Sequence, residues 1–177
     1  ILREEDEEYC KRQKQRFLKE ARTVSDFAQE PGIVRITDYF EENQTAYIVM
    51  NYLEGQTLKK YMKTQPPMEA ESAFRLMLPL MGTLAKIHSY GIIHRDISPD
   101  NLILGPDGKL TLIDFGAAKA YSPTIDQTCS IILKGGYAPC EQYDSRGKLG
   151  PWSDIYALCA VIYFCITKHA PDDAFLR

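Results

Sequence analysis

The residues of this chain that could do chemistry crowd into one short stretch, His94-Arg95-Asp96-Ile97-Ser98-Pro99-Asp100-Asn101 followed by Asp114-Phe115-Gly116. Asp96 is a carboxylate able to accept a proton. Asn101 lies five residues after it and Asp114 eighteen residues after it. Both carry oxygen ligands of the hard type that Mg²⁺ prefers. Each piece alone is a weak signal, because a loop aspartate often does no more than cap a turn. In this order and at this spacing they supply what phosphoryl transfer from a nucleoside triphosphate needs. Metal ions neutralise the phosphate oxygens, and a base held in line takes the proton of the attacking hydroxyl.

The segment joining the two pieces has its own signature. Leu102-Ile103-Leu104 and Leu110-Thr111-Leu112-Ile113 read as strands, and Pro106-Asp107-Gly108 reads as the turn between them. Proline fixes φ and glycine takes a positive φ, so a hairpin sets the distance from Asn101 to Asp114.

Longer elements must hold this hairpin in place. Phe17, Ala21, Val24 and Phe27 form an apolar stripe with helical spacing, and residues 5–28 read as one helix. Glu7/Lys11 and Glu8/Arg12 support it with acid before base, while Arg16/Glu20 runs in the less favourable order. Glu30-Pro31-Gly32 ends it. Ile33, Val34, Ile36, Tyr39 and Phe40 lead through Glu42-Asn43-Gln44 to a return strand, Ala46 to Met50. Asn51 to Gly55 is a connector, and Thr57 to Lys63 a short helix. Ala73, Leu76, Met77, Leu80, Leu84 and Ile87 mark a helix over residues 70–89, which Pro79 is expected to kink or split and Gly91 to stop. Residues 117–150 show little periodicity, and a loop of that length in a compact domain is usually functional. Residues 153–167 form a last helix, apolar on nearly every face and so expected at the centre.

Bulk properties exclude some classes. The 177 residues suffice for one domain with a core, and 45% hydrophobic and 25% charged residues are ordinary for a globular protein. A net charge of -3 without a basic stripe argues against nucleic-acid binding. The five cysteines are odd in number and contain no C-x-x-C, which fits a reduced, cytoplasmic setting better than a disulfide framework or a zinc site. The N-terminus is charged rather than apolar, and the longest apolar run, Ile155 to Thr167, is short of the roughly 20 residues a membrane span needs. The expected location is the cytoplasm, or its face of a membrane if a span lies beyond Arg177.

At the residues quoted, the chain resembles the eukaryotic-type protein kinase family, in its serine/threonine branch and with a bacterial look. The resemblance implies an α+β, two-lobe kinase-like fold: residues 1–50 as a partial N-terminal lobe with helix C and a hairpin, 51–55 as the hinge, and 56–177 as a partial, mostly helical C-terminal lobe. It implies ATP and Mg²⁺ as cofactors and a protein bearing Ser or Thr as substrate. Asp96 would be the base, and Asn101 and Asp114 the metal ligands. Arg95 would receive a phosphorylated activation loop through a charge-assisted pairing, with Ser122, Thr124, Thr128 and Ser130 in the matching stretch. Met50, Asn51, Tyr52 and Leu53 match the hinge that meets the adenine edge, and Ile103 the floor beneath the ring. Glu20 matches the helix glutamate that pairs with a strand lysine, and His94 and Phe115 match internal packing elements stacked with Val24 and Ile36. Asp154 matches the central-helix aspartate that holds the catalytic-loop backbone, its simpler reading being a helix N-cap. Gly136-Tyr137-Ala138-Pro139-Cys140-Glu141 resembles the segment closing the activation loop, whose glutamate normally pairs with a later arginine; no partner for Glu141 is evident in this chain.

The chain also departs from the family pattern. It contains no G-x-G-x-x-G lid and no V-A-I-K-like strand, so the lysine partner of Glu20 is missing. The chain is therefore expected to be a piece of a longer kinase domain, poorly soluble and nearly inactive by itself. Where the catalytic loop usually has a lysine, two residues after the base, this chain has Ser98. Where a threonine often stands, three residues before Tyr137, it has Lys134. Lys134 is expected to reach back to Asp96 and supply the charge that Ser98 lacks, the plainer reading being an unrelated surface lysine. Two other functions use similar parts. A small-molecule phosphotransferase shares the loop but not Arg95, the full Asp-Phe-Gly and the long segment ending at Glu141. A pseudokinase binding module would have lost the base or the metal residues, which are all present here.

Overall fold

The computed structural model describes residues 30–43, 45–115, 119–120, 133–144 and 147–176, the last of the short strands (119–120) by backbone only. In the N-terminal stretch it describes Glu8, Lys11, Lys14, Gln15, Phe17, Leu18, Ala21, Arg22 and Ser25, all helical. The sequence expectations for Glu20, Val24, Phe27, the 7/11, 8/12 and 16/20 pairs, and Ser122, Thr124, Thr128 and Ser130 fall outside the described residues.

The chain runs β1 (Ile36–Glu42), β2 (Thr45–Met50), β3 (Gln56–Thr57), α1 (Leu58–Thr64), α2 (Ala70–Ser89), β4 (Ile92–Ile93), β5 (Leu102–Leu104), β6 (Leu110–Leu112), β7 (Lys119–Ala120) and α3 (Pro151–Thr167), with a 3₁₀ turn at Cys140–Gln142 before α3. The mixed α+β content is that expected. The strands form three small sheets: β1-β2, β3-β5-β6 and β4-β7. The β1-β2 hairpin pairs antiparallel from Ile36 opposite Met50 to Glu42 opposite Thr45. Ile33 and Val34, grouped with β1 by sequence, instead dock on β6. Val34 N–H donates to the Leu112 carbonyl at 3.0 Å, and Leu112 N–H to the Gly32 carbonyl at 2.8 Å.

The β5-β6 hairpin has the expected turn. Gly108 takes φ +76°, its N–H donates to the Gly105 carbonyl at 3.0 Å, and Lys109 N–H donates to Asp107 Oδ1 at 3.1 Å. Thr57 lies just outside α1 and caps it, its hydroxyl accepting from Lys60 N–H at 3.2 Å.

The core is built from α2 and α3. Met77, Leu80, Leu84 and Ile87 of α2 pack with Leu158, Val161 and Cys165 of α3 and with Leu58, Met62, Leu102 and Leu112, almost all free of solvent contact. Of the kink or split expected at Pro79, the split does not occur: α2 is one continuous helix of 20 residues. Pro79 and Arg75 both face solvent, so water can take up the Arg75 carbonyl that loses its N–H partner. Helix α3 is not enclosed on every face: Trp152, Ile155, Cys159 and Tyr163 form an exposed stripe opposite Leu158, Val161 and Cys165. Among the described residues no helix is long and apolar enough to cross a membrane.

Candidate active site

A buried carboxylate organises the loop of residues 94–101. Asp154, in the first turn of α3, is fully buried. One oxygen accepts from Arg95 N–H at 2.8 Å, and the other accepts from His94 N–H at 2.9 Å. His88 Nε2, from the last turn of α2, reaches that second oxygen at 2.8 Å. Gly150, not Asp154, is the N-cap of α3. A charge this deep persists only when its lone pairs are satisfied, and here two consecutive backbone amides do so. Gln142 holds the other side of the loop, donating from Nε2 to the Arg95 carbonyl at 2.8 Å. Lys59 of α1 fixes the far end: its N–H donates to the Pro99 carbonyl and its ammonium pairs with Asp100, each at 3.0 Å.

This clamp leaves Asp96 at the mouth of the loop. Asn101 donates from Nδ2 to the Asp96 carbonyl at 2.9 Å and to Asp96 Oδ2 at 2.8 Å. Both amide protons are thereby engaged, and Oδ1 of Asn101 is the atom able to ligate a cation. Ile113 N–H donates to the Asn101 carbonyl at 2.9 Å, which ties the loop to the residue before Asp114. Burial raises the Asp96 carboxyl above its usual range, with the charge of Asp114 adding to the push. Lys134, the Asn101 hydrogen bond and His94 pull it back.

Arg95 and Asp114 adopt φ of +71° and +62°, a left-handed conformation uncommon for residues with a Cβ. Backbone strain of this kind collects at functional sites, where surrounding bonds over-determine it. Phe115 meets the His94 ring edge-on, with centroids 4.6 Å apart. Burial drives the His94 imidazole well below its ordinary value, although Asp154, Asp96, Asp114 and the Ile113 carbonyl favour protonation.

Asp114 is exposed and Asn101 buried. Among the described residues no group of three or more His, Cys, Asp or Glu side chains is arranged to hold a metal. One carboxylate and one carboxamide are nevertheless a donor set that fits Mg²⁺, which keeps waters and shares phosphate oxygens rather than taking an all-protein cage.

The remaining predicted site residues are distributed as follows. Met50 ends β2 opposite Ile36, and Asn51 N–H donates to the Arg35 carbonyl at 2.9 Å. Leu53 is half-buried in the connector to β3. Ile103 lies in β5 between Thr57 and Thr111. Lys134 Nζ lies 2.9 Å from Ser98 Oγ and 3.5 Å from Asp96 Oδ2. Glu141 has a partner after all: Ser153 donates to it at 2.8 Å, so a later arginine is not its sole means of satisfaction. Sequence reasoning missed His88, Gln142 and Lys59. Each acts across 41 to 66 residues of chain, and none carries a local pattern that announces its target.

With this geometry in place, comparison with known proteins is direct. A model of the protein kinase domain matches residues 2–174. The chain is 39% identical over 160 residues to the serine/threonine-protein kinase PrkC of Bacillus subtilis, covering 89% of this chain and 24% of that protein. It is 34% identical over 160 residues to a probable serine/threonine-protein kinase, PknB, of Lactococcus lactis, covering 89% and 25%. It is 31% identical over 157 residues to the serine/threonine-protein kinase PknL of Mycobacterium tuberculosis, covering 88% and 39%. The chain belongs to the protein kinase family. It spans about a quarter of the length of the first two relatives. These matches do not favour a small-molecule phosphotransferase or a non-catalytic module.

Proposed function

We propose that the protein containing this chain transfers the γ-phosphoryl group of ATP to Ser or Thr hydroxyls of protein substrates, with the chemistry centred on Asp96. The observation that carries this reading is the coupling of Asp96 to Asn101 on a loop whose backbone is clamped by buried Asp154. Asp96 accepts the proton of the substrate hydroxyl as that oxygen attacks. Its raised affinity for a proton, from burial and the nearby Asp114 charge, suits a base. Asn101, through Oδ1, and Asp114 are the residues that would hold Mg²⁺. Bound Mg²⁺ neutralises the charge on the phosphate oxygens. Most of the catalysis is then positioning, which the Asp154, Gln142 and Lys59 contacts supply.

Met50, Asn51 and Leu53 are the proposed hinge, offering backbone groups to the adenine edge, with Ile103 as the floor. Arg95 is the proposed receiver of a phosphorylated activation segment. Glu20 is proposed to pair with a lysine of a nucleotide-binding strand. The serine/threonine branch follows from Pro99 and Asp100 after the base and from the named relatives. A location in the cytoplasm or on its face of a membrane belongs to the same reading, since ATP is the phosphoryl donor.

The test is radiolabel transfer from ATP by the full-length protein to itself and to myelin basic protein. Asp96→Asn is expected to reduce kcat at least about 1000-fold while Mg-ADP binding persists, and Asp114→Asn to lose both transfer and Mg²⁺-dependent nucleotide binding. Transfer by Asp96→Asn at the parent rate would contradict the reading.

A further inference from the structure

Lys134 and Ser98 exchange the residue types that the kinase pattern places at these two positions. The catalytic loop has a small hydroxyl two residues after the base, and the closing segment has a lysine where a hydroxyl residue often stands. In the folded chain the two side chains meet. Lys134 Nζ is 2.9 Å from Ser98 Oγ and 3.5 Å from Asp96 Oδ2. Ser98 is fully buried, so its hydroxyl is a fixed acceptor and not a solvated one.

The lysine backbone is held as firmly as its tip. Tyr137 N–H and Ala138 N–H both donate to the Lys134 carbonyl at 3.1 Å, closing a turn. Gly136 within that turn has φ +82°, and a Cβ there would lie 2.3 Å from the Pro171 carbonyl oxygen. Only glycine fits, and the close approach seats the segment against the chain after α3.

We infer that Lys134 is a catalytic residue. It supplies from the closing segment the phosphate-facing cation that the loop itself lacks, with Ser98 as the positioning residue that aims it. This inference rests on the kinase reading and adds to it a specific source for the charge. Both side chains keep partial access to solvent, 32% for Lys134 and 21% for Asp96, so a phosphate at the mouth of the loop can reach the ammonium. Beside the base the same charge faces the phosphoryl oxygens as the hydroxyl attacks. A preorganised donor there counts mainly in the transition state. Because the cation belongs to the 133–138 segment, turnover depends on that segment being seated on Pro171.

The experiment uses the full-length protein, myelin basic protein and radiolabelled ATP. Lys134→Met keeps the aliphatic stem and removes the charge. It is expected to lower kcat about 100- to 1000-fold, with Mg-ADP affinity by calorimetry within about threefold and a melting temperature close to the parent's. Lys134→Thr is expected to behave alike. Ser98→Lys in the Lys134→Thr background, which restores the usual arrangement, is expected to recover at least tenfold. Gly136→Ala is expected to lower kcat with nucleotide affinity retained. The inference is overturned if Lys134→Met turns over within threefold of the parent, or if the reciprocal double variant is no faster than Lys134→Thr. Neither result touches the kinase reading. That reading fails separately, if the parent transfers no phosphate or Asp96→Asn transfers as well as the parent.

Discussion

Around Asp96 the backbone is held by side chains from distant parts of the chain, whereas the β1-β2 hairpin is held chiefly by its own ladder. His94 and Arg95 hand their amide protons to a carboxylate about 60 residues away, and Gln142 takes up the next carbonyl from another direction. In the hairpin, Phe40 stacks on Tyr47 with ring centroids 5.3 Å apart, yet Phe40, Tyr47, Val49 and Met50 all remain exposed. Asn51 N–H to the Arg35 carbonyl extends that ladder by one step, and among the described residues the Lys14–Glu41 ion pair ties the hairpin to the N-terminal stretch. The difference shows how a fold fixes a candidate reacting group. Burying a charged acceptor is costly, but once it is fully hydrogen-bonded it admits one loop geometry and few others. A solvated ladder tolerates more variation because water can replace what a side chain loses.

Asp154→Ala should break this contrast most severely. It strands two buried backbone amides and the His88 ring, each unsatisfied group costing about 1–3 kcal/mol. Stability of the domain in urea is expected to fall by about 3 kcal/mol or more, with phosphoryl transfer lost, whether or not nucleotide still binds. A midpoint unchanged from the parent would mean that the clamp is not what holds the loop.

Protonation sharpens the same contrast. Burial raises the Cys165 thiol to about 11 and the Tyr137 phenol to about 12, and burial with the hydrogen bond to Asp173 raises Tyr143 to about 12. All three are acids whose neutral form the folded state prefers. Their contribution is whole below the unfolded values, near 9 for the thiol and 10 for the phenols, and is lost as pH rises toward those folded values. Stability measured by urea is therefore expected to decline above about pH 9. In alkylation at pH 8 followed by peptide mapping, exposed Cys140 and Cys159 should be labelled and Cys165 spared until the protein unfolds. Labelling of Cys165 at the rate of Cys159 would show that the α2–α3 core opens.

The smallest effect belongs to the hairpin. Val49→Thr, on its exposed surface, is expected to change stability by less than about 0.5 kcal/mol. A loss several times larger would place Val49 in a packed interface.

Much of this arrangement is legible in the sequence because it is local. The turn at Pro106-Asp107-Gly108 carries its own φ requirements, and the α2 stripe repeats at 3.6 residues, so hairpin and helix follow from neighbours alone. What escapes is set by packing across long separations. Thr57 reads as the start of a short helix and Gln56 carries no strand pattern, yet they pair with Ile103 and Leu104. Ile33 and Val34 look like the start of β1, yet Leu112 claims them. The apolar composition of α3 hides its exposed stripe, since composition does not say which face finds a partner. In the site, the spacing of Asp96, Asn101 and Asp114 is readable, but the reach of His88 to Asp154 and of Ser153 to Glu141 is not. Lys168, after α3, donates to the Met62 and Gln65 carbonyls at the end of α1, again with no local cue.

The most direct measurement is a crystal structure of the full-length protein with Mg²⁺ and a non-hydrolysable ATP analogue. The predicted result is a metal ion about 2.1 Å from a carboxylate oxygen of Asp114 and from Asn101 Oδ1, bridging to the phosphates, with the Asp96 carboxylate facing the terminal one. A nucleotide bound with its metal elsewhere, or with its terminal phosphate out of reach of Asp96, would contradict the account.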